Sequence, residues 1–281
     1  MRNAFADEIT SLAQTDSRLV LLSGDIGNKL FDKFKAAAPG RFINCGIAEA
    51  NMIGMAAGMA MNGLRPLVYT IAPFTTTRCL EQIRLDLCYH RVPVVVAGTG
   101  AGLSYAELGP THHSCEDIAI LRALPDMMVV CPADALELRL ALRQALTQDR
   151  PMYLRLGKKG EAAIHATTPD FRLGKALTVR EGDQVCLIGT GNMVAALIEA
   201  AEQLAAAGIS ARVENFHTVK PLDESRLAEI FDRYPVVAIA EEHSRIGGLA
   251  SAIAALFGTG GFLVMFNRAQ KYMHLHSSLH P

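Results

Sequence analysis

The sequence predicts an α/β chain: a doubly wound, mostly parallel sheet followed by a second, smaller α/β unit. Three observations carry that expectation. Short, β-rich apolar runs alternate with segments of helical period almost throughout. The alternation breaks between about residues 157 and 182 and then restarts. The 281 residues also exceed a typical single domain, so each of two units has enough chain for its own core. Strands joined through helices imply right-handed crossovers and parallel pairing, with ligands beyond the carboxyl ends of the strands.

In chain order the candidate strands are RLVLLSG (18–24), RFINC (41–45), RPLVYTI (65–71), VPVVVAG (92–98), DMMVV (126–130) and PMYLRL (151–156). Helical patterns near 2–14, 48–62, 76–90, 115–124 and 133–147 lie between them. Residues 1–160 thus read as the first domain. Residues 161–182, within the weakly patterned GKKGEAAIHATTPDFRLGKALTVREG, read as a linker with a short hairpin. From 183 to 281 the pattern resumes with QVCLIGTG, a helix over 192–207, SARVENF, a helix over 223–232, PVVAIAE and a helix from about Ile246. From about residue 267 the chain turns polar and aperiodic. Its three late histidines (His274, His276, His280) suggest a metal tract, but a frayed end is the plainer reading.

Composition excludes several classes. The 27 basic and 28 acidic residues nearly cancel, and no Arg/Lys cluster supplies the electrostatic footprint of a nucleic-acid binder. The most apolar stretch, Gly46 to Leu64, carries Glu49 and Asn51, which argues against a membrane helix. Six scattered cysteines without a C-x-x-C, and an N-terminus without a signal-like apolar core, suit reduced thiols in a cytoplasmic protein. GTGNM (189–193) follows a strand but lacks the third glycine of a dinucleotide loop, and GTGAG (98–102) leads into a loop; neither reads as a nucleotide site.

The chemistry concentrates in a few stretches. In NCGIAEANMIGMAAGMAMNG (44–63) one carboxylate, Glu49, begins a helix of small and apolar residues, with Gly54, Ala57 and Gly58 permitting close backbone approach. Desolvation in such a setting makes a carboxyl hold its proton more readily, suiting it to share one with a buried heterocycle. The same position is also where the helix dipole favours any acid. In AELGPTHHSCEDIAILRALP (106–125) His112 and His113 are either loop histidines or, for His112, a proton-transfer group. They are no metal pair, because adjacent side chains point apart, and no metal site is predicted on this chain. SGDIGN (23–28) closes the first strand, and its Asp25 alone reads as no more than a turn residue or cap. YTIAPFTTTRCLEQI (69–83) carries Phe74 ahead of a helix, a position equally open to a core aromatic.

Together these stretches resemble the transketolase group of thiamine-diphosphate enzymes, and NFHTVKPLD (215–223) and AEEHSRIGGLASAIA (240–254) resemble the carboxyl-terminal domain of that group. The resemblance runs over about residues 2–256, in the order of the rear half of a full-length transketolase. It implies that Glu49 binds N1′ of the cofactor's aminopyrimidine and so promotes loss of the C2 proton. Phe74 then stacks on that ring, and Asp25 and Ile26 line the thiamine. His112 faces the reacting carbons of the substrate. Leu108 stands where many transketolases have an aspartate that reads a sugar hydroxyl, so stereochemical preference is expected to differ. Arg2 matches an amino-terminal arginine, and Lys158 sits where a second arginine is expected, both as anchors for a sugar phosphate.

The group's diphosphate signature, G-D-G followed by an Asn pair, is not found: GDI (24–26) and GDQ (182–184) lack its last glycine. The resemblance therefore implies that Mg²⁺ and the diphosphate are held largely by a separate subunit, in an α2β2 assembly inactive without it. The expected activity is transfer of a two-carbon ketol unit from a ketose to an aldose, either of them free or phosphorylated. The alternatives are the β subunit of a 2-oxo acid dehydrogenase E1, a deoxyxylulose-phosphate-synthase-like enzyme, or a non-catalytic regulatory subunit.

Overall fold

Strand β1 (Leu19–Ser23) is buried at all five positions, the pattern of a strand covered on both faces. The computed structural model describes residues 1–257 and 262–267, and β1 lies near one edge of its larger sheet. The parallel members of that sheet are β1, β2 (Phe42–Asn44), β3 (Arg65–Ile71), β4 (Val95–Thr99), β5 (Met128–Val130) and β6 (Met152–Leu156). With β10 (Thr218–Lys220) at the far edge, the order is β10-β5-β6-β4-β3-β1-β2. Alternate residues face opposite layers. Leu19, Leu21, Leu67, Val95 and Leu154 pack with Phe5, Ile9, Leu138 and Leu142 of helices α1 (Arg2–Thr15) and α7 (Ala135–Ala145). Val20, Leu22, Val68 and Val96 pack instead with Met52, Ile53 and Ala56 of α3 (Glu49–Met61), and with Ile83 and Leu87. The doubly wound expectation is met, and the carboxyl ends of β1, β3 and β4 open toward one rim.

In the second sheet β8 (Val185–Gly189), β9 (Ala211–Asn215), β11 (Val236–Glu241) and β12 (Phe262–Asn267) run parallel. An edge strand β7 (Leu177–Arg180) completes the order β12-β11-β8-β9-β7. Helices α8 (Met193–Ala206), α9 (Glu224–Arg233) and α10 (Leu249–Phe257) connect them.

Several local expectations change. The segment 161–182 holds no hairpin: its β7 pairs antiparallel with β9 instead. The three residues of β10 cross back and pair antiparallel with β5, so the second unit completes the sheet of the first. A short α2 (Asp32–Ala37) fills a stretch given no element. The helix expected over 76–90 is broken into α4 (Ala72–Thr75), a 3-10 turn, α5 (Leu80–Gln82) and a π-helical stretch at Ile83–Tyr89. Thr75, Thr76 and Thr77 hydroxyls bond back to the carbonyls of Ala72 and Pro73, which competes with regular helix geometry. Helix α6 (Asp117–Arg122) is shorter than the apolar pattern around it. β4 begins after Pro93, which has no N–H for the ladder. The late histidines His274, His276 and His280 lie outside the described residues. Among the described residues no helix is long and apolar enough to cross a membrane.

Where the units meet, His217 is fully buried, its ring stacked on Phe171 with centroids 4.0 Å apart and its Nε2 without a partner. Burial, helped by His165, pushes its pKa down to about 3. The unfolded chain takes up this proton near pH 6.5 and the folded chain does not, so His217 is without effect on folding above that pH and increasingly opposes it as pH falls toward about 3. His217→Asn keeps a side-chain amide near Thr218 but cannot titrate. Thermal melts between pH 7 and pH 4 should show the variant losing less stability than the wild type; parallel pH profiles would refute this.

Candidate active site

Glu49 is the first residue of α3 and follows the turn at Gly46, whose φ is +69°. Only 2% of its side chain is exposed. A charge so placed requires a partner, and Arg78 provides it: Nη1 donates to Glu49 Oε2 at 2.8 Å. The Arg78 guanidinium also lies 4.0 Å over the Phe74 ring. Phe74 is half-buried on α4, and Arg78 follows four residues later on the 3-10 turn Thr77–Cys79, beyond the break at Thr76. One planar, hydrogen-bond-donating group therefore rests on the aromatic face while bonding the acid.

The Phe74 ring meets that of His112 edge-on, with centroids 5.2 Å apart. His112 is half-buried on the loop between β4 and α6, its Nδ1 2.9 Å from Thr111 Oγ1. The Tyr105 ring also meets that of His112 edge-on, with centroids 6.0 Å apart. Over the Tyr105 ring, at 4.4 Å, lies the Lys158 ammonium, which donates to Glu107 Oε1 at 2.7 Å. Arg2 Nε in turn donates to the Lys158 carbonyl at 2.9 Å. A continuous line of side chains thus runs from Glu49 through Arg78, Phe74, His112 and Tyr105 to Lys158 and Arg2. Beside it is an open depression of about 510 Å³, lined by Pro73, Phe74, Thr77, Arg78, Pro110, Thr111 and Glu116. Burial raises the pKa of Glu116, whose carboxylate accepts from the Cys115 N–H at 2.9 Å.

The other sequence candidates are placed differently. Gly24 lies close to the acid: a Cβ there would sit 3.3 Å from Glu49 Cγ and 3.2 Å from Thr70 Cβ, so a side chain just past the end of β1 would crowd both. Asp25 follows in a left-handed conformation, φ +55°, exposed and holding Asn44 Nδ2 at 2.8 Å. It caps no helix. Ile26 is half-buried and packs toward the α1 side of the sheet. Leu108 is 50% exposed on the His112 loop. Lys158 is not a free cation, since Glu107 already engages it, and Arg2 contacts backbone rather than open space. Arg78, Tyr105 and Glu116 were not anticipated, and the Glu49–Arg78 pair, 29 residues apart in the chain, carries no local sequence signal. Among the described residues no group of three or more His, Cys, Asp or Glu could hold a metal ion.

Comparison with known proteins identifies both units of the chain. Residues 1–160 match the family described as transketolase, pyrimidine binding domain, and residues 174–275 match transketolase, C-terminal domain. A 6-deoxy-6-sulfo-D-fructose transketolase subunit from Clostridium sp. (strain MSTE9) is 40% identical over 259 residues, which are 92% of this chain and 80% of that one. One of the subunits of an apulose-4-phosphate transketolase from Phocaeicola vulgatus is 34% identical over 254 residues, 90% of this chain and 81% of that one. A solved structure described as a split gene transketolase, inactive beta4 tetramer, superposes with a TM-score of 0.88 at 35% identity, covering 98% of this chain and 92% of that one. With both units matched and relatives of comparable length aligned nearly end to end, the chain belongs to the transketolase family of thiamine-diphosphate-dependent transferases.

Proposed function

We propose that this chain is the pyrimidine-side subunit of a two-subunit transketolase, moving a two-carbon ketol unit from an anionic ketose to an aldose. The observation that carries the reading is the contiguous Glu49–Arg78–Phe74–His112 arrangement. It fits the cofactor. Arg78 is a stand-in: its flat guanidinium bonds the buried acid and lies on the aromatic face, as an aminopyrimidine with a protonated or donor-bearing edge would. When bound, thiamine diphosphate supplies the carbanion chemistry at its C2 carbon.

The chain's own residues supply binding, orientation and proton handling. Glu49 holds a proton against the pyrimidine ring nitrogen, Phe74 supports the ring face, and Gly24 leaves its edge unobstructed. Asp25 and Ile26 continue that wall from the strand end. Arg78, with 43% of its side chain exposed, can withdraw toward solvent when the ring takes its place. His112, one ring away from Phe74, exchanges protons with substrate hydroxyls at the rim.

The diphosphate and Mg²⁺ are assigned largely to a separate subunit in an α2β2 complex. Support comes from the want of a G-D-G/Asn signature in these residues and from relatives that are themselves named as subunits. Six unpaired cysteines suit a reducing compartment, so the cytoplasm is the proposed location. The relatives named for a sulfonated and a phosphorylated sugar support an anionic substrate. Lys158, backed by Arg2, is the proposed anchor. Its bond to Glu107 is largely exposed and contributes little, so an incoming anion displaces it readily. Leu108 then presents an apolar wall to a sugar carbon rather than an acceptor to a hydroxyl.

In the reconstituted complex, Glu49→Gln should slow exchange of the cofactor C2 proton by about 10²- to 10⁴-fold, the usual weight of a positioned proton-transfer group. Near-normal exchange measured by NMR would exclude the role.

Lys158→Ala should raise KM for phosphorylated or sulfonated donors about tenfold or more and leave kcat nearly unchanged, as loss of a charge-assisted contact requires. KM for an uncharged ketose should not move. Equal effects on charged and neutral donors would remove Lys158 as the anion anchor.

A further inference from the structure

The AEEHSRIGG stretch of the second unit takes no part in the site described above, yet it touches the loop that carries His112. That loop is closed at its stem by a two-way bridge: Gly102 N donates to Ser114 O at 3.0 Å and Ser114 N to Gly102 O at 2.9 Å. His112 sits two residues inside the stem. The base of the stem is engaged from the second unit at several points. Ser244 N donates to Cys115 O at 2.7 Å. Arg155 Nη2 bridges Ser114 O at 2.9 Å and Glu242 O at 3.0 Å. The Glu242 side chain lies directly under Gly102: a Cβ there would come within 2.4 Å of Oε2.

We propose that the Glu242–Ser244 turn is a clamp by which the second unit positions the His112 loop for reaction. The turn is itself rigidly held. Glu241 accepts from the N–H groups of Leu249 and Ala250 at the start of α10, at 2.6 and 3.2 Å. Asn192 holds Glu242 Oε2 at 3.2 Å. His243 is fully buried; its Nδ1–H donates to Ser244 O at 2.8 Å, leaving Nε2 to accept from Ala119 N at 3.4 Å. Its 3.8 Å approach to Asp117 is not an ion pair, because burial depresses the imidazole pKa and keeps the ring neutral despite that carboxylate. Asp117 is paired instead with Arg155 at 2.8 Å and the Tyr153 hydroxyl at 2.7 Å. The clamp thus reads as a buried, directional network rather than a charge contact, the kind of support that fixes a side chain to a fraction of an ångström. Such fixing matters, since a shift of about 1 Å in a reacting group can cost about 100-fold in rate.

The proposal rests on His112 as the substrate-facing residue, and its test separates the two ideas. Hydrogen–deuterium exchange of the full chain reads loop order directly. His243→Ala should raise uptake over residues 103–113 about tenfold, equivalent to one lost buried hydrogen bond, with residues 49–61 unchanged. His243→Gln, which retains an acceptor for Ala119, should restore protection. In the reconstituted complex His243→Ala should slow ketose cleavage while C2 proton exchange stays within about twofold of wild type. Should His243→Ala not fold, Glu242→Ala carries the same measurements, since it removes the support under Gly102 and keeps the backbone. Wild-type protection of 103–113, or loosening of 49–61 to the same extent, overturns the clamp. So does normal cleavage by a variant whose loop is loosened, provided that His112→Ala itself cleaves slowly. Normal cleavage by His112→Ala would instead overturn the catalytic reading.

Discussion

A carboxylate sealed inside an apolar helix start must be neutralised, hydrogen-bonded or paired, and that single requirement organises the site around Glu49. The helix that bears it is built mainly of alanine, glycine and methionine, none of which offers a side-chain donor. Relief has to come from another element, and the broken helix after β3 brings Arg78 within 2.8 Å. Because the guanidinium is flat, the same contact sets a plane between acid and Phe74. A ligand that replaces Arg78 must therefore be flat, must donate to a carboxylate and must tolerate an aromatic face. Those three conditions narrow the chemistry more than the depression alone could.

The arrangement also explains why the first sheet had to be doubly covered. α3 lies on one face and packs through Met52, Ile53 and Ala56, which leaves its first residue at the carboxyl edge of β1 and β3. A Cβ at Gly24, just past the end of β1, would lie 3.3 Å from Glu49 Cγ, so strand end and helix start face each other closely. The irregularity from Ala72 to Tyr89 is part of the same solution. Threonine hydroxyls bonding back to Ala72 and Pro73 disrupt the helix where Phe74 and Arg78 must face the rim rather than the core.

Much of the fold was legible because its strands are covered on both faces and read as apolar runs such as RPLVYTI, whose observed limits match the pattern residue for residue. β10 was not legible: three residues between a strand and Pro221 show no period, and their partner β5 lies some ninety residues earlier in the chain. β7 failed for a related reason, since an edge strand half-buried along its whole length lacks clean alternation. At the site, Glu49 and His112 stood out through their neighbours in sequence. Arg78 did not, since its partner is 29 residues away and pairing across elements leaves no local mark. Lys158 was identified as a cation but its state was not, because Glu107 reaches it from 51 residues away. Sequence spacing reports faces and turns; it does not report which charges meet.

The glycine-rich turns illustrate the same limit from the other side. G-x-G after a strand signals that a backbone must be approached closely, but not by what. Here Gly189 is bare because a Cβ would meet Leu197 of α8 at 2.6 Å, a helix-packing demand with no ligand involved. Gly191, at φ +58°, turns the chain so that its N–H reaches Cys131 O of the first unit at 3.1 Å, and Asn192 continues to Glu242. Gly247 lies against Ala119 of α6, where a Cβ would sit 2.4 Å from that methyl. The two glycines of GTGNM that a motif search would offer to phosphates serve helix packing and a turn toward the first unit, and Gly247 serves packing between the units. The two units interlock through β10 and through these approaches, so the second is mechanically part of the loop that holds His112. The junction is therefore a structural determinant of the site rather than a tether between independent domains.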